Sequence, residues 1–386
     1  MIAPSQRRLA SRALGALLLA GAAGLTAGTP RSAGLGWAVP PPARAPAEGT
    51  AAFAEPRTPE SPPPLLYVCS QSAAIVSVID MEKNEVVASV DLQSLGFTAR
   101  ASPHHIAVEP DGSYWYVSLI GDGVVAKLDR DNRLVGVAEF EAPGLLALDP
   151  RSDRLYVGRS MAAVRPPRRI GLIRRSDMSV EEVDVFVPRP HAIAVGPTGA
   201  HIYVASLGQN RMVILDATEE EGEIASLQGP FQVLVQFAVS PDGRWLVGTG
   251  QITGRLIAFD ISEPGAPRVA RTVQVGEAPW HPVFGREGRY VYVPNQADNS
   301  VSVVDATTWE VAAVVEGEGL AEPHGSAVSP DGRFVYISNH NLKREYAPAG
   351  SPGRGDVVVI DARTRRIVKV IDVPPYASGI GTASPA

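Results

Sequence analysis

From residue 65 onward the chain alternates apolar and polar positions in short runs, broken every six to eight residues by Gly, Asp, Asn or Pro. Period-two alternation with Val, Ile and Tyr in the runs predicts strands, and the breakers predict tight turns. One pair of runs recurs: "PHHIAVEPDGSYWYVS" at Pro103, "PGLLALDPRSDRLYVG" at Pro143 and "PHAIAVGPTGAHIYVA" at Pro190. Further copies begin at Leu234, Pro279 and Pro323, at spacings of about 40 to 47 residues, the length of a four-stranded propeller blade. A third run usually ends in an apolar residue and aspartate ("VSVID" to Asp80, "MVILD" to Asp216, "VVVID" to Asp361), and a fourth apolar run follows.

The N-terminal copy, "PLLYVCSQSAAIVSVIDMEKNEVVASVDL", begins at its second strand. "YASGIGTA" from Tyr376 supplies the missing one. The expectation is an all-β fold: a seven-bladed β-propeller of four-stranded blades over residues 64–386. Pairing of the terminal segments closes it, so that no sheet edge is left open.

Upstream, Arg7, Arg8 and Arg12 precede the apolar run "ALGALLLAGAAGL", which is shorter than a membrane span. Residues 1–27 are expected to be a signal peptide, with an uncleaved anchor as the alternative, and "SQRRLAS" gives only a trace of a twin-arginine signal. Residues 28–63, rich in Pro, Ala, Gly and Arg, are expected to be a disordered tether. Export predicts a periplasmic or secreted protein.

Composition excludes more than it assigns. The net charge of −6 gives no general case for nucleic acid. The single cysteine, Cys69, rules out an internal disulfide and Cys-pair metal motifs. No nucleophile elbow, phosphate loop or zinc-protease motif is present.

The pattern "PHGSAVSPDGRFVYISN" followed by "VVVID" resembles the YVTN-repeat propellers of bacterial envelopes, and the likeness covers everything after the tether. The resemblance implies the architecture and leaves function open. Related propellers carry haem in dissimilatory nitrite reductase and copper in nitrous oxide reductase, and others are lactonases or binding proteins.

The candidate chemistry lies on one rim. His104, His191 and His324 precede their turn glycines by equal spacing, His105 and His281 lie one residue further along, and His340 ends a second strand. Six of the seven histidines are therefore expected at one channel mouth, with His201 on the opposite face. Imidazole suits metal or ligand binding, although each ring could instead hydrogen-bond its own blade. Glu141, Glu277, Glu316, Glu318 and Glu322 lie in loops entering inner strands. Two insertions face the same way: "RSMAAVRPPRRIG", with Arg159, Met161, Arg165, Arg168 and Arg169, and "NHNLKREYAPAGSPGRG", with His340, Asn341 and Tyr346.

These readings favour a non-enzymatic, monomeric binding module that takes a small molecule or a protein at the mouth. The first alternative is a metal- or haem-binding propeller with an electron-transfer role. There His104, His105, His324 and His340 are the candidate ligands and copper, iron or haem, or zinc the candidate cofactors. Gly144 and Val235 stand at the histidine position of blades three and five, which argues against a full multi-histidine copper cluster. The spread of ligands over several blades argues against a tightly held metal. The second alternative is a lactonase-like hydrolase.

Overall fold

The computed structural model describes residues 62–163, 168–218, 222–347 and 354–383. The expected signal peptide, and nearly all of the expected tether, lie outside them. Seven four-stranded antiparallel sheets form the blades. Blade one joins the last strand, Ala377–Thr382, to Leu65–Ser70, Ile75–Asp80 and Glu85–Asp91. Its closing register runs Leu66↔Thr382, Tyr67↔Gly381, Val68↔Ile380 and Ser70↔Ala377. The inner strands of blades two to seven are Pro103–Val108, Pro143–Leu148, Pro190–Val195, Leu234–Val239, Val283–Phe284 and Pro323–Val328. Among the described residues the only helical element is a short 3-10 turn, Leu92–Leu95.

The repeated residues have local reasons. Aspartates at the ends of third strands accept backbone N–H groups of the next turn: Asp80 from Glu82 and Lys83, Asp216 from Thr218, Asp305 from Thr307, Asp361 from Thr364. Each makes an Asx-type turn that starts the outermost strand. Three second-strand tyrosines join neighbouring blades, while Tyr116 donates to Glu109 Oε1 of its own blade. Tyr203 donates to Pro264 O, Tyr292 to Ala362 O, and Tyr336 to Asn84 Oδ1 at 2.5 Å and Met81 O at 3.3 Å. The core lies in slabs between successive blades; one joins Val357, Val359 and Ile371 of blade seven to Leu66, Val68 and Ile79 of blade one.

At the mouth, the residue before the inner strand is left-handed in six blades, Ser102, Ala142, Arg189, Val233, Glu322 and Tyr376, and in blade six Ala278, before the bridge of Pro279 to Asn295, does the same, with φ between 47 and 63. Each carbonyl accepts an N–H from just beyond its own second strand, for example Ser102 from Ile120 and Glu322 from His340. None of the seven is glycine, so each accepts a strained conformation to turn the chain into the channel. The inner strands then bulge where the histidines stand, between Pro103 and Ile106, Pro190 and Ala192, and Pro323 and Ser326. A bulge re-aims side chains.

Candidate binding site at the channel mouth

The six rim histidines gather as the spacing predicts. His104 and His324 have ring centres 6.2 Å apart, His281 and His324 4.5 Å, His324 and His340 4.2 Å, and His105 and His281 5.8 Å. Trp280 lies 4.4 Å from His324, and Tyr376 meets His340 edge-on at 4.3 Å. His191 and His324 are 1% exposed, His281 5%, His340 7% and His105 8%; His104 is half-buried. A ligand larger than an ion therefore reaches most of these nitrogens only by displacing rings. The open part of the channel lies beyond them, a cavity of about 600 Å³ between His105 and the opposite turns at Pro241 and Pro330.

Burial keeps the cluster uncharged. His105 and His191 are pushed down to about 4 and His340 to about 3, chiefly by desolvation. His104, His281 and His324 are held well below 6.5 by burial and by neighbouring imidazoles. A neutral imidazole has one N–H and one lone pair, and the hydrogen bonds decide which is which.

Trp280 Nε1, a donor only, gives its hydrogen to Gln296 Oε1 at 2.8 Å, so Gln296 Nε2 donates to His340 Nδ1 at 3.1 Å. His340 must then carry its hydrogen on Nε2. His105 Nδ1 accepts from Leu146 N at 3.2 Å, so its Nε2 is also an N–H. The Gln236 amide lies 3.4 Å from it, and the pair is satisfied with the amide oxygen turned toward the ring. His191 is the reverse: Nδ1 donates to Arg159 O at 2.7 Å, leaving the Nε2 lone pair buried and unpartnered. The His324 ring lies beside the Ser378 backbone, and its Nδ1 is buried and without a partner. His104 Nδ1 and His281 Nε2 are buried and unpartnered as well, and so is the Nε2–H of His340.

This sorts the candidate metal ligands. His324 and His104 each offer a free nitrogen, whereas His105 and His340 present N–H groups and cannot ligate without giving up the bonds that orient them. His281, outside the expected metal set, has a free nitrogen between the other two. Two imidazoles on one metal, with bonds near 2 Å, have ring centres about 5 Å apart, and the 4.5 and 6.2 Å separations of His281–His324–His104 bracket that value. The donors thus fit a nitrogen-loving ion. Among the described residues no three His, Cys, Asp or Glu side chains already converge as a finished cage.

The other candidates serve the frame. Arg159 is 1% exposed. It donates to Glu141 O, Arg169 O and Glu182 Oε1 and lies 3.8 Å over Phe140, so its guanidinium is spent inside blade three. Arg169 pairs with Asp184 at 2.8 Å. Arg168 is exposed, and Arg165 lies outside the described residues. Glu322 Oε2 accepts Lys343 N, and Asn341 bonds Tyr346 and Arg354, so both brace the insertion of blade seven. Spacing had no means of showing Gln236, Gln296 and Trp280, because nothing in their own segments marks them as partners of rings on other blades.

Comparison with known proteins agrees with the architecture. A family described as "Lactonase, 7-bladed beta-propeller" matches residues 234–345. An uncharacterized protein of Staphylococcus saprophyticus is 25% identical over 170 residues, 38% of this chain and 49% of that one. A 6-phosphogluconolactonase of an Enterobacter species is 30% identical over 119 residues, 30% of this chain and 34% of that one. The chain thus spans half or less of these relatives. Among solved structures, a putative 6-phosphogluconolactonase from Bacteroides fragilis aligns with TM-score 0.64 at 13% identity, covering 85% of this chain and 99% of that one. Dihydro-heme d1 dehydrogenase NirN, in complex with DHE, aligns with TM-score 0.57 at 17% identity, covering 83% and 75%. At such identities the likeness is one of fold: this chain is a seven-bladed propeller.

Proposed function

We propose that this is an exported binding propeller that captures a transition-metal ion, copper or zinc, at its channel mouth and carries out no chemistry on it. The observation behind this reading is the row His281–His324–His104, three neighbouring imidazoles on blades six, seven and two, each with a buried unpartnered nitrogen. Leaving such groups unpaired costs about 1–3 kcal/mol each, so the fold carries a cost that an ion would remove. Neutral rings are the form that binds metal, and burial keeps them neutral. Because the cage is not finished, rings must rotate to close on the ion, which suits reversible uptake better than a permanent cofactor.

The test is a titration of purified, chelator-treated protein with zinc and with copper(I). One ion per chain is expected, with a rise in Tm, because a ligand selective for the folded state stabilises it. His324→Ala should abolish both effects. His340→Ala, which removes an N–H and not a lone pair, should weaken binding far less. No uptake of either metal sinks the proposal.

Lactone hydrolysis is the second reading, favoured by the match over residues 234–345 and the Enterobacter relative. Two of the described rim arginines, Arg159 and Arg169, are already paired with acids, which leaves less cationic charge for a phosphorylated substrate. Turnover of 6-phosphogluconolactone by the metal-free protein would establish it.

A further inference from the structure

The insertion of blade seven leaves the sheet after Asn339 and rejoins it at Gly355–Asp361. At its base, Asp356 stands directly opposite Asn339 on one side and Asp372 on the other. Asp356 and Asn339 are both fully buried. Asn339 Nδ2 donates to Asp356 Oδ1 at 2.8 Å, which places the amide against the carboxylate, yet Asn339 Oδ1 and Asp356 Oδ2 have no partner. Tyr346 Oη is 3.5 Å from Asp372 Oδ1 and also feels the charges of Asp356 and Glu318.

No cation balances this group among the described residues. The nearby lysines are committed elsewhere, Lys343 to Glu322 and Lys369 to Glu85. Arg354 shares a hollow with Asp372 but makes no ion pair with it. Nor does the fold require an acid here. In blade six the equivalent pair is Asn295 and Ser300, and Asn295 Nδ2 is satisfied by Ser300 Oγ at 3.0 Å and Ser302 Oγ at 2.9 Å. Blade seven has exchanged a hydroxyl for a carboxyl group. Like charges opposite one another on adjacent strands repel, and a buried carboxylate without a partner is costly.

We propose that Asp356, Asp372 and the side-chain oxygen of Asn339 bind a hard divalent cation, calcium first, at the base of the blade-seven insertion. Calcium takes six to eight oxygens, and it fills a partial set with water and backbone carbonyls. Two carboxylates and an amide oxygen are hard donors, unlike the imidazoles of the mouth, so this site neither rests on the metal reading there nor competes with it. Without the ion, burial raises the Asp356 carboxyl to about 8, and a proton takes the cation's place. Binding should therefore strengthen as pH rises through that value.

The experiment uses the full chain, stripped with a chelator and dialysed, with calcium chloride and magnesium chloride as probes. Calcium should bind at one ion per chain by calorimetry and raise Tm by a few degrees, saturably. Asp356→Asn and Asp372→Asn should each remove the shift. If Asp356→Asn does not fold, Asp372→Asn at the half-buried partner and protection of the insertion from protease by calcium decide the matter. Absence of any shift in the parent protein overturns the proposal. So does a shift retained in both variants, or a parent that gains nothing from calcium while Asp356→Asn is more stable than it, which would identify a buried proton.

Discussion

A histidine in this mouth is defined less by its position than by its tautomer. Position was legible, because Pro-His before a strand and a turn glycine at fixed spacing place the ring by local geometry alone. Tautomer was not, because it is decided by Gln296, Trp280 and a backbone carbonyl of another blade. The left-handed residues were equally hidden: Ser102, Val233, Glu322 and Tyr376 share a conformation but no chemistry. The neutral state has a measurable consequence. The unfolded chain takes up protons on His105, His191 and His340 near pH 6.5, while the fold resists until about 4 or 3. Their contribution is thus complete above pH 6.5 and is lost as pH falls, at about 1.4 kcal/mol per unit for each ring. Asp356 runs the other way, its proton favouring the fold at low pH, but it is one group against several. Tm should therefore fall steeply between pH 6.5 and 4. In His191→Asn, whose amide nitrogen takes the place of Nδ1 and can still donate to Arg159 O, the slope should be shallower by about one proton's worth; an unchanged slope would show that this ring titrates normally.

At the scale of the blade, strand order and turn chemistry were readable because an Asp-led turn is satisfied by residues two or three positions away. What tyrosine does in the second strand was not, since its partner lies in the next blade. The contrast within the molecule is useful: blade five has Val247 where six blades have tyrosine, so an apolar side chain is tolerated there. In blade two the hydroxyl of Tyr116 stays within its blade, on Glu109 Oε1, whereas those of Tyr203, Tyr292 and Tyr336 reach the next blade. Tyr336 is the strongest case, buried and bonded to Asn84 Oδ1 and Met81 O across the junction of blades seven and one. Tyr336→Phe keeps the ring and leaves the Asn84 oxygen without its donor, at a cost of about 1–3 kcal/mol. Urea unfolding should show a lower midpoint with an unchanged slope. A loss below about 0.5 kcal/mol would mean that packing alone joins the blades.

Closure is a property of the whole ring, and the sequence showed it only because one copy lacked a strand while the other terminus had one to spare. Ala377–Thr382 does more than complete a sheet. It packs Ala377 and Ile380 into the slab between blades seven and one, and a Cβ at Gly379 would come within 2.0 Å of His104 O. Ser378 O accepts from Ser338 Oγ, and the Ser378 backbone lies beside the ring of His324, while Tyr376 packs on His340. The last strand therefore supports the site as well as the ring. Removing residues 376–386 would expose the edge of Leu65–Ser70, uncover that slab and release His324 and His340 together. Two consequences should appear at once: cooperative unfolding of the entire propeller at lower denaturant, not fraying of one blade, and loss of metal uptake under conditions where the remainder is still folded. Adding the segment back as a peptide should restore both in parallel if the strand acts through pairing. Hydrogen exchange that rises in blade one alone, with uptake intact, would show that the ring holds without its closure and that the mouth is organised from the other blades.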